Sequence, residues 1–289
     1  MRVLVLGGTG SIGSGVVEGL LARRHEVIGL ARSDRAAQQL SAAGAQVLRG
    51  DITAPARWID AVARFDAVVQ AAAAFSTEDQ QVERILLDAL GDRLGTTRRD
   101  HCLVYTGGCW LYGATGDRVA TEETRFDPLP AFAWSLAHVE RVRAARHFRG
   151  VVIHPAMVYA RDGGVLARFR RDLDAHRPVR IVGGPDVRWP LVHREDIGTL
   201  YALAIESAAA GAVYNGAAVD SIPVGAIVHA MSARAGSSLA PVIQTPDQAA
   251  AELGEWARGY GLDQRMSGAK ARRELGWTPV HENPVADVA

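Results

Sequence analysis

The run Val3-Leu4-Val5-Leu6-Gly7-Gly8-Thr9-Gly10-Ser11-Ile12-Gly13 decides how the rest of the chain is read. Four apolar residues without polar alternation are what a strand covered on both faces requires. The glycines follow at once. Val16, Val17, Leu20 and Leu21 then fall on one helical stripe that ends at Arg23 and Arg24. Strand, glycine turn and helix in this order are the setting of a dinucleotide fingerprint. Gly7 permits the tight turn, Gly10 lets the backbone approach a diphosphate, and Gly13 lets the helix lie close to the strand. Around them, Thr9, Ser11 and Ile12 offer amides at the positive end of the helix to phosphate oxygens.

Outward from this turn, short apolar runs and amphipathic stretches alternate. Strands are expected at 27–30, 46–48, 67–72, 102–106 and 151–154, and helices at 36–43, 56–64, 77–90 and 133–148. This rhythm with short connections predicts an α/β fold, a doubly wound parallel Rossmann sheet. After about Pro155, loops rich in Gly and Pro at 161–164, 183–190 and 278–279 mark a smaller C-terminal lobe that completes a cleft. The expected division is a dinucleotide domain over 1–157 and a substrate lobe over 158–289, with segments of the second returning to the sheet.

The bulk numbers narrow the function. At 289 residues the chain can bury a sizeable core. A formal net charge of +0 with no basic stripe argues against nucleic acid. No apolar run is long enough to span a bilayer, and the first residues lead into glycines rather than a signal-peptide cleavage site. Cys102 and Cys109 form no disulfide framework and no metal-type Cys/His spacing, so a reducing cytoplasm is expected and no metal. Lys270 is the only lysine. With the high Ala content, this Arg bias points to a GC-rich bacterial genome.

The second strand ends Gly29-Leu30-Ala31-Arg32-Ser33. A site for NAD(H) would hold a carboxylate here for the ribose 2′-OH, and Ala31 supplies none. Arg32 and Ser33, with Arg35 a turn later, suit a 2′-phosphate, so NADP(H) is expected and NAD(H) is the alternative. Asp34 is the carboxylate that would favour that alternative.

These features resemble the extended and atypical short-chain dehydrogenase/reductases, the NAD-dependent epimerase/dehydratase family. The likeness covers nearly the whole chain. The Gly-Asp pair that holds the adenine is similar to Gly50-Asp51-Ile52, and the small-residue strand end beside the cofactor to Gln70-Ala71-Ala72-Ala73. Leu111-Tyr112-Gly113 resembles the family's VYG segment, and His154-Pro155-Ala156-Met157-Val158-Tyr159-Ala160 its RPxxVYG segment. Val192-His193-Arg194-Glu195-Asp196 resembles VHVDD, and the stretch from Ala271 to Pro279 is typical of the family's tail. The resemblance implies cofactor contacts at Asp51, Ile52, Ala71, Ala72, Ala73, Thr106, Pro155 and Val158, and a homodimer through two helices on one sheet edge.

The likeness breaks at the family's catalysts, a Ser/Thr followed by Tyr-x-x-x-Lys. The Ser/Thr position falls on Gly108, the Tyr position on Phe132 and the Lys position on Leu136. No change of register restores a lysine. Three hydroxyl groups are left as candidates: Thr106 to orient a carbonyl or touch the cofactor, and Tyr112 and Tyr159 as proton donors or packing groups. Cys109 lacks a nearby His or cation to activate it. His138 and His193 are expected to be structural. A substrate pocket walled by Cys109, Trp110, Phe132, Trp134, Leu136 and Met157 would be apolar, and Arg188 and Trp189 would enter it from the second lobe. A hydrophobic small molecule of carbonyl type is the expected substrate. Three activities stay open: an NADP(H)-dependent oxidoreductase, a non-redox isomerase, lyase or cyclase, and a dinucleotide sensor without turnover.

Overall fold

The computed structural model describes residues 1–76, 78–96, 100–161 and 163–288. β1 (Arg2–Leu6) leads through the glycine turn into α1 (Ser11–Ala22), followed by β2 (Glu26–Ala31), α2 (Asp34–Ala42) and β3 (Gln46–Arg49). The alternation continues with β4 (Ala67–Gln70), α3 (Asp79–Gly95), β5 (Cys102–Thr106), α4 (Ser135–Arg143) and β6 (Arg149–Pro155). Beyond lie β7 (Met157–Tyr159), α5 (Ala167–Asp174), β8 (Arg180–Val182), β9 (Arg188–His193), α6 (Arg194–Ser207) and β10 (Val213–Gly216). The chain closes with β11 (Val219–Pro223), α7 (Val224–Arg234), β12 (Val242–Gln244), α8 (Pro246–Leu253), α9 (Ala269–Leu275) and α10 (Pro284–Val288).

The main sheet runs β10-β6-β5-β4-β1-β2-β3 with every neighbouring pair parallel. The strand order reverses between β1 and β4, and such a reversal opens a crevice at the C-terminal strand ends. The apolar runs at 3–6, 67–69 and 102–104 are continuous because both faces are covered. Val3, Val5, Val69 and Val104 face one core, and Leu4, Leu6, Val68 and Leu103 the other. β11-β9-β7 and β12-β8 form two small outer sheets. No helix among the described residues is long and apolar enough to cross a membrane.

α1 and α6 cross with backbone against backbone at their glycines. A Cβ on Gly198 would stand 1.9 Å from the Gly15 carbonyl oxygen, and one on Gly19 would stand 2.5 Å from the Gly198 carbonyl carbon.

Three expected helices differ. The stretch 56–64 is two 3₁₀ turns, Pro55–Arg57 and Ile59–Arg64, interrupted where Trp58 turns its buried indole inward to donate to the Asp51 carbonyl. The helix expected over 133–148 spans only Ser135–Arg143, because Gly150 must lie against the Val142 carbonyl as the chain enters β6. α3 begins at Asp79 and runs on to Gly95; Thr77, where it was expected to start, lies outside the described residues, as does Asp162 in the loop expected at 161–164.

Candidate active site

The glycine turn has the expected backbone. Gly7 sits at φ +82, and a Cβ there would meet Ala72 backbone atoms at 2.6–2.7 Å. A Cβ on Gly13 would stand 2.1 Å from the Gly7 oxygen. Gly10 is different. It caps α1 at φ −81, which any residue adopts, and a Cβ there would meet only the Gly7 oxygen at 3.4 Å. The fold does not need Gly10 to be bare. The Ser11 and Ile12 amides have no hydrogen-bond partner among the described residues. A glycine that packing does not demand, beside unpartnered amides at a helix start, fits a diphosphate.

Arg32 and Arg35 are exposed at the end of β2 and the start of α2, and neither has a side-chain partner among the described residues. Ser33 caps α2 through its hydroxyl, which accepts from the Ala36 amide. Asp34 is held by Arg49 at 2.6 Å and is therefore not an unengaged carboxylate. The Asp51 carboxylate accepts from the amide and hydroxyl of Thr53, which fixes the turn that also carries Ile52.

A cavity of about 380 Å³ opens where β1, β4, β5 and β6 end. Gly10, Ser11, Ile12, Ala71, Ala72, Ala73, Thr106, Pro155 and Val158 line one part, and Gly108, Cys109, Trp110, Phe132, Trp134 and Met157 another. Thr106 shares a 2.6 Å hydrogen bond with the buried Tyr201 hydroxyl. Phe132 contributes a bare ring.

Several expected residues are elsewhere. Tyr112 is buried and donates to Asn215 Oδ1 at 2.8 Å, and burial raises its pKa. Tyr159 is buried and donates to Asp287 Oδ2 at 2.6 Å; burial, then that carboxylate, raises it too. Neither lines the cavity, and both hydroxyls are turned to partners outside it. Arg188 is engaged by Asp263 and Asp117 rather than facing a ligand. Trp189 stacks on Phe169 and donates to the Tyr260 carbonyl, away from the cavity. Leu136 packs into the core below the sheet. Burial pushes the Cys109 thiol up to about 12, which removes it as a nucleophile at neutral pH. His193 accepts from the Glu195 amide at the start of α6 and lies against the His281 ring, outside the cavity.

Other lining residues escaped the sequence reading. Glu83 stands on the stripe of α3 that also carries the buried Leu86, Leu87, Leu90 and Leu94. A carboxylate on an otherwise apolar stripe was the available signal. Tyr105 precedes Thr106 on β5. Phe75, at φ +55, and Trp256 and Tyr260, on the 3₁₀ segment Glu255–Gly261, complete an aromatic wall. Gly259 fits under Trp110, since a Cβ there would stand 2.3 Å from the indole.

The model of the NAD dependent epimerase/dehydratase family matches residues 3–217. The chain belongs to that family. This epimerase/dehydratase-family chain is 28% identical over 297 residues to Uncharacterized protein C2A9.02 of Schizosaccharomyces pombe, covering 100% of this chain and 98% of the relative. Its fold is similar to human epimerase family protein SDR39U1, solved with NADPH (TM-score 0.78, 20% identity, 100% and 98% of the two chains covered). It is also similar to UDP-glucose 4-epimerase of Thermus thermophilus, solved with NAD (TM-score 0.80, 22% identity, 100% and 97% covered). Family membership brings a nicotinamide-cofactor scaffold of the short-chain dehydrogenase/reductase type.

His154, at the end of β6 just before Pro155, has a consequence for pH. His154 is wholly buried, its Nδ1 accepts from the Gly108 amide at 3.2 Å, and burial, then Arg143, pushes its pKa down to about 3. The folded state holds it neutral while the unfolded chain protonates near the ordinary value of about 6.5. Between those values the unfolded state binds more protons, so stability falls as pH drops from about 6.5 towards 3, by on the order of 4 kcal/mol in all. Denaturant melts across this range should show that slope, and His154→Asn, which keeps an acceptor for Gly108, should flatten it.

Proposed function

We propose that the chain is an NADP(H)-dependent oxidoreductase acting on a hydrophobic small molecule of carbonyl type. The observation that carries the reading is the continuity of the cavity. One aromatic-walled space includes both the start of α1, where Gly10, Ser11 and Ile12 suit a diphosphate, and Thr106 at the end of β5. Arg32 and Arg35 support a 2′-phosphate, with Asp34 engaged elsewhere. When bound, the reduced cofactor supplies a hydride. Thr106, backed by Tyr201, orients the reacting oxygen by hydrogen bond, and the rings of Trp110, Phe132 and Trp134 exclude water from it. In this reading residues 1–157 hold the dinucleotide, 158–289 shape the substrate side, and no nucleic acid or membrane is the partner.

The test begins with fluorescence titration of NADPH and NADH. NADPH should bind more tightly, and Arg32→Ala with Arg35→Ala should weaken NADPH about tenfold or more while sparing NADH. Absorbance of the reduced nicotinamide with a panel of hydrophobic ketones, enones and imines then reads turnover. Product without any change in cofactor redox state would move the assignment to a non-redox isomerase or lyase, which Phe132 and Leu136 in place of the catalytic pair also accommodate.

A further inference from the structure

The cavity has a polar floor that the reading above leaves unused. Glu83 is 8% exposed and reaches the cavity from α3. Its Oε2 accepts a 2.6 Å hydrogen bond from the Tyr105 hydroxyl, and His138 Nδ1 lies 3.5 Å from the same oxygen. Both contacts fall on Oε2, no hydrogen bond to Oε1 is seen among the described residues, and the residue itself lines the cavity. The walls are aromatic: Phe75 and Trp256 have ring centroids 5.1 Å apart, and Trp110 stacks on Trp256 at 6.3 Å. No Arg, Lys or His lines the cavity among the described residues. The only other carboxylate there, Asp79, has its two oxygens taken by the Ala74 amide and the Ser76 hydroxyl.

A mostly buried carboxylate on the lining of an aromatic-walled cavity attracts positive charge beyond what one hydroxyl and one imidazole supply, and the faces of aromatic rings attract cations. An anionic substrate group placed beside Glu83 would meet repulsion and find no cation among the described lining residues. We propose that the cavity takes a hydrophobic cation, an arylalkyl ammonium or a protonated imine, with its charged nitrogen on Glu83 and its apolar body between the rings. This narrows the substrate proposed above from a carbonyl to its imine form, in which Glu83 rather than Thr106 meets the polar atom, and rests on that reading for its redox step. A protonated imine brings its own proton. A hydride forms a C–H bond at its carbon, the former C=N π pair becomes the nitrogen lone pair, and a neutral amine results. The two electrons come from the reduced dinucleotide, which is oxidised, so no tyrosine–lysine pair is required.

The test follows tryptophan fluorescence during titration with 4-phenylbutylammonium, 4-phenylbutanol and 4-phenylbutyrate. The ammonium should bind at least tenfold more tightly than the alcohol, and the carboxylate most weakly. Glu83→Gln should erase the ammonium's advantage and leave NADPH and NADP⁺ affinities unchanged. Tyr105→Phe, which keeps the carboxylate, should retain the advantage. Equal binding of ammonium and alcohol, or an advantage that survives Glu83→Gln or is lost in Tyr105→Phe, would overturn the proposal. So would a change in the NADP⁺ to NADPH affinity ratio in Glu83→Gln, because the carboxylate would then serve the nicotinamide ring. A wild-type chain that prefers the ammonium but binds no dinucleotide would sink the oxidoreductase reading and leave the cation site standing.

Discussion

Gly10→Val should abolish dinucleotide binding while leaving the protein folded. Three glycines make the turn, and they differ in what packing demands of them. Gly7 is held at φ +82 and Gly13 lies against the Gly7 oxygen, so side chains at either position would disturb the backbone itself. Gly10 has ordinary dihedral angles, and its missing side chain would point into space bounded only by the Gly7 oxygen at 3.4 Å. A Cβ there meets no backbone clash in the apo protein, and losing a favourable N-cap residue should lower the thermal midpoint by no more than about 4 °C. The isopropyl group would occupy the approach to the Ser11 and Ile12 amides. NADPH affinity should fall at least about 100-fold, roughly 2.7 kcal/mol, read by fluorescence titration. Undiminished binding would mean that no diphosphate lies on this turn.

The second large effect is on stability. Gly198→Ala should lower the thermal midpoint by about 6 °C or more, reflecting a loss of about 3 kcal/mol. Its Cβ would meet the Gly15 oxygen at 1.9 Å and the Gly15 carbonyl carbon at 2.5 Å, and these are backbone atoms that no rotamer change can move. The α1 residues are equally confined, since a Cβ on Gly15 would stand 2.2 Å from the Arg194 oxygen. The helices would have to separate. Because α1 begins at the glycine turn, separation should weaken NADPH binding as well. Gly163→Ala is the control: its Cβ meets nothing within 4 Å, and the midpoint should not move. An unchanged midpoint in Gly198→Ala would show that the crossing can relax.

The sheet was legible in the sequence because its signal is local. Val3 to Leu6 and Val151 to Ile153 are continuous apolar runs, and that continuity follows directly from cover on both faces. The glycine turn was legible for the same reason. The substrate side was not. Trp110, Phe132 and Trp134 could be read as a wall, but Trp256 and Tyr260 reach it from a segment more than a hundred residues later. Tyr112 and Tyr159 stood as proton donors or packing groups because the family's motifs place phenols near the cofactor. Their hydroxyls turn instead to Asn215 and Asp287, partners far along the chain that no spacing rule connects to them. Arg188 was expected to enter the pocket, but Asp263 and Asp117, far from it in sequence, hold it. Glu83 left a trace in the helical period, but only the fold shows that its stripe ends in a cavity.

β10, the outermost strand beside β6, comes from residues 213–216, well past the last of the strands it joins. On the ribosome, six strands therefore emerge and can pair before the seventh exists. Until Val213–Gly216 arrives, β6 presents an unpaired parallel edge whose Val151, Val152 and Ile153 are wholly buried in the finished protein. A nascent or truncated chain stopped near residue 160 should thus be a sticky species that chaperones retain, rather than a small dinucleotide-binding unit in its own right.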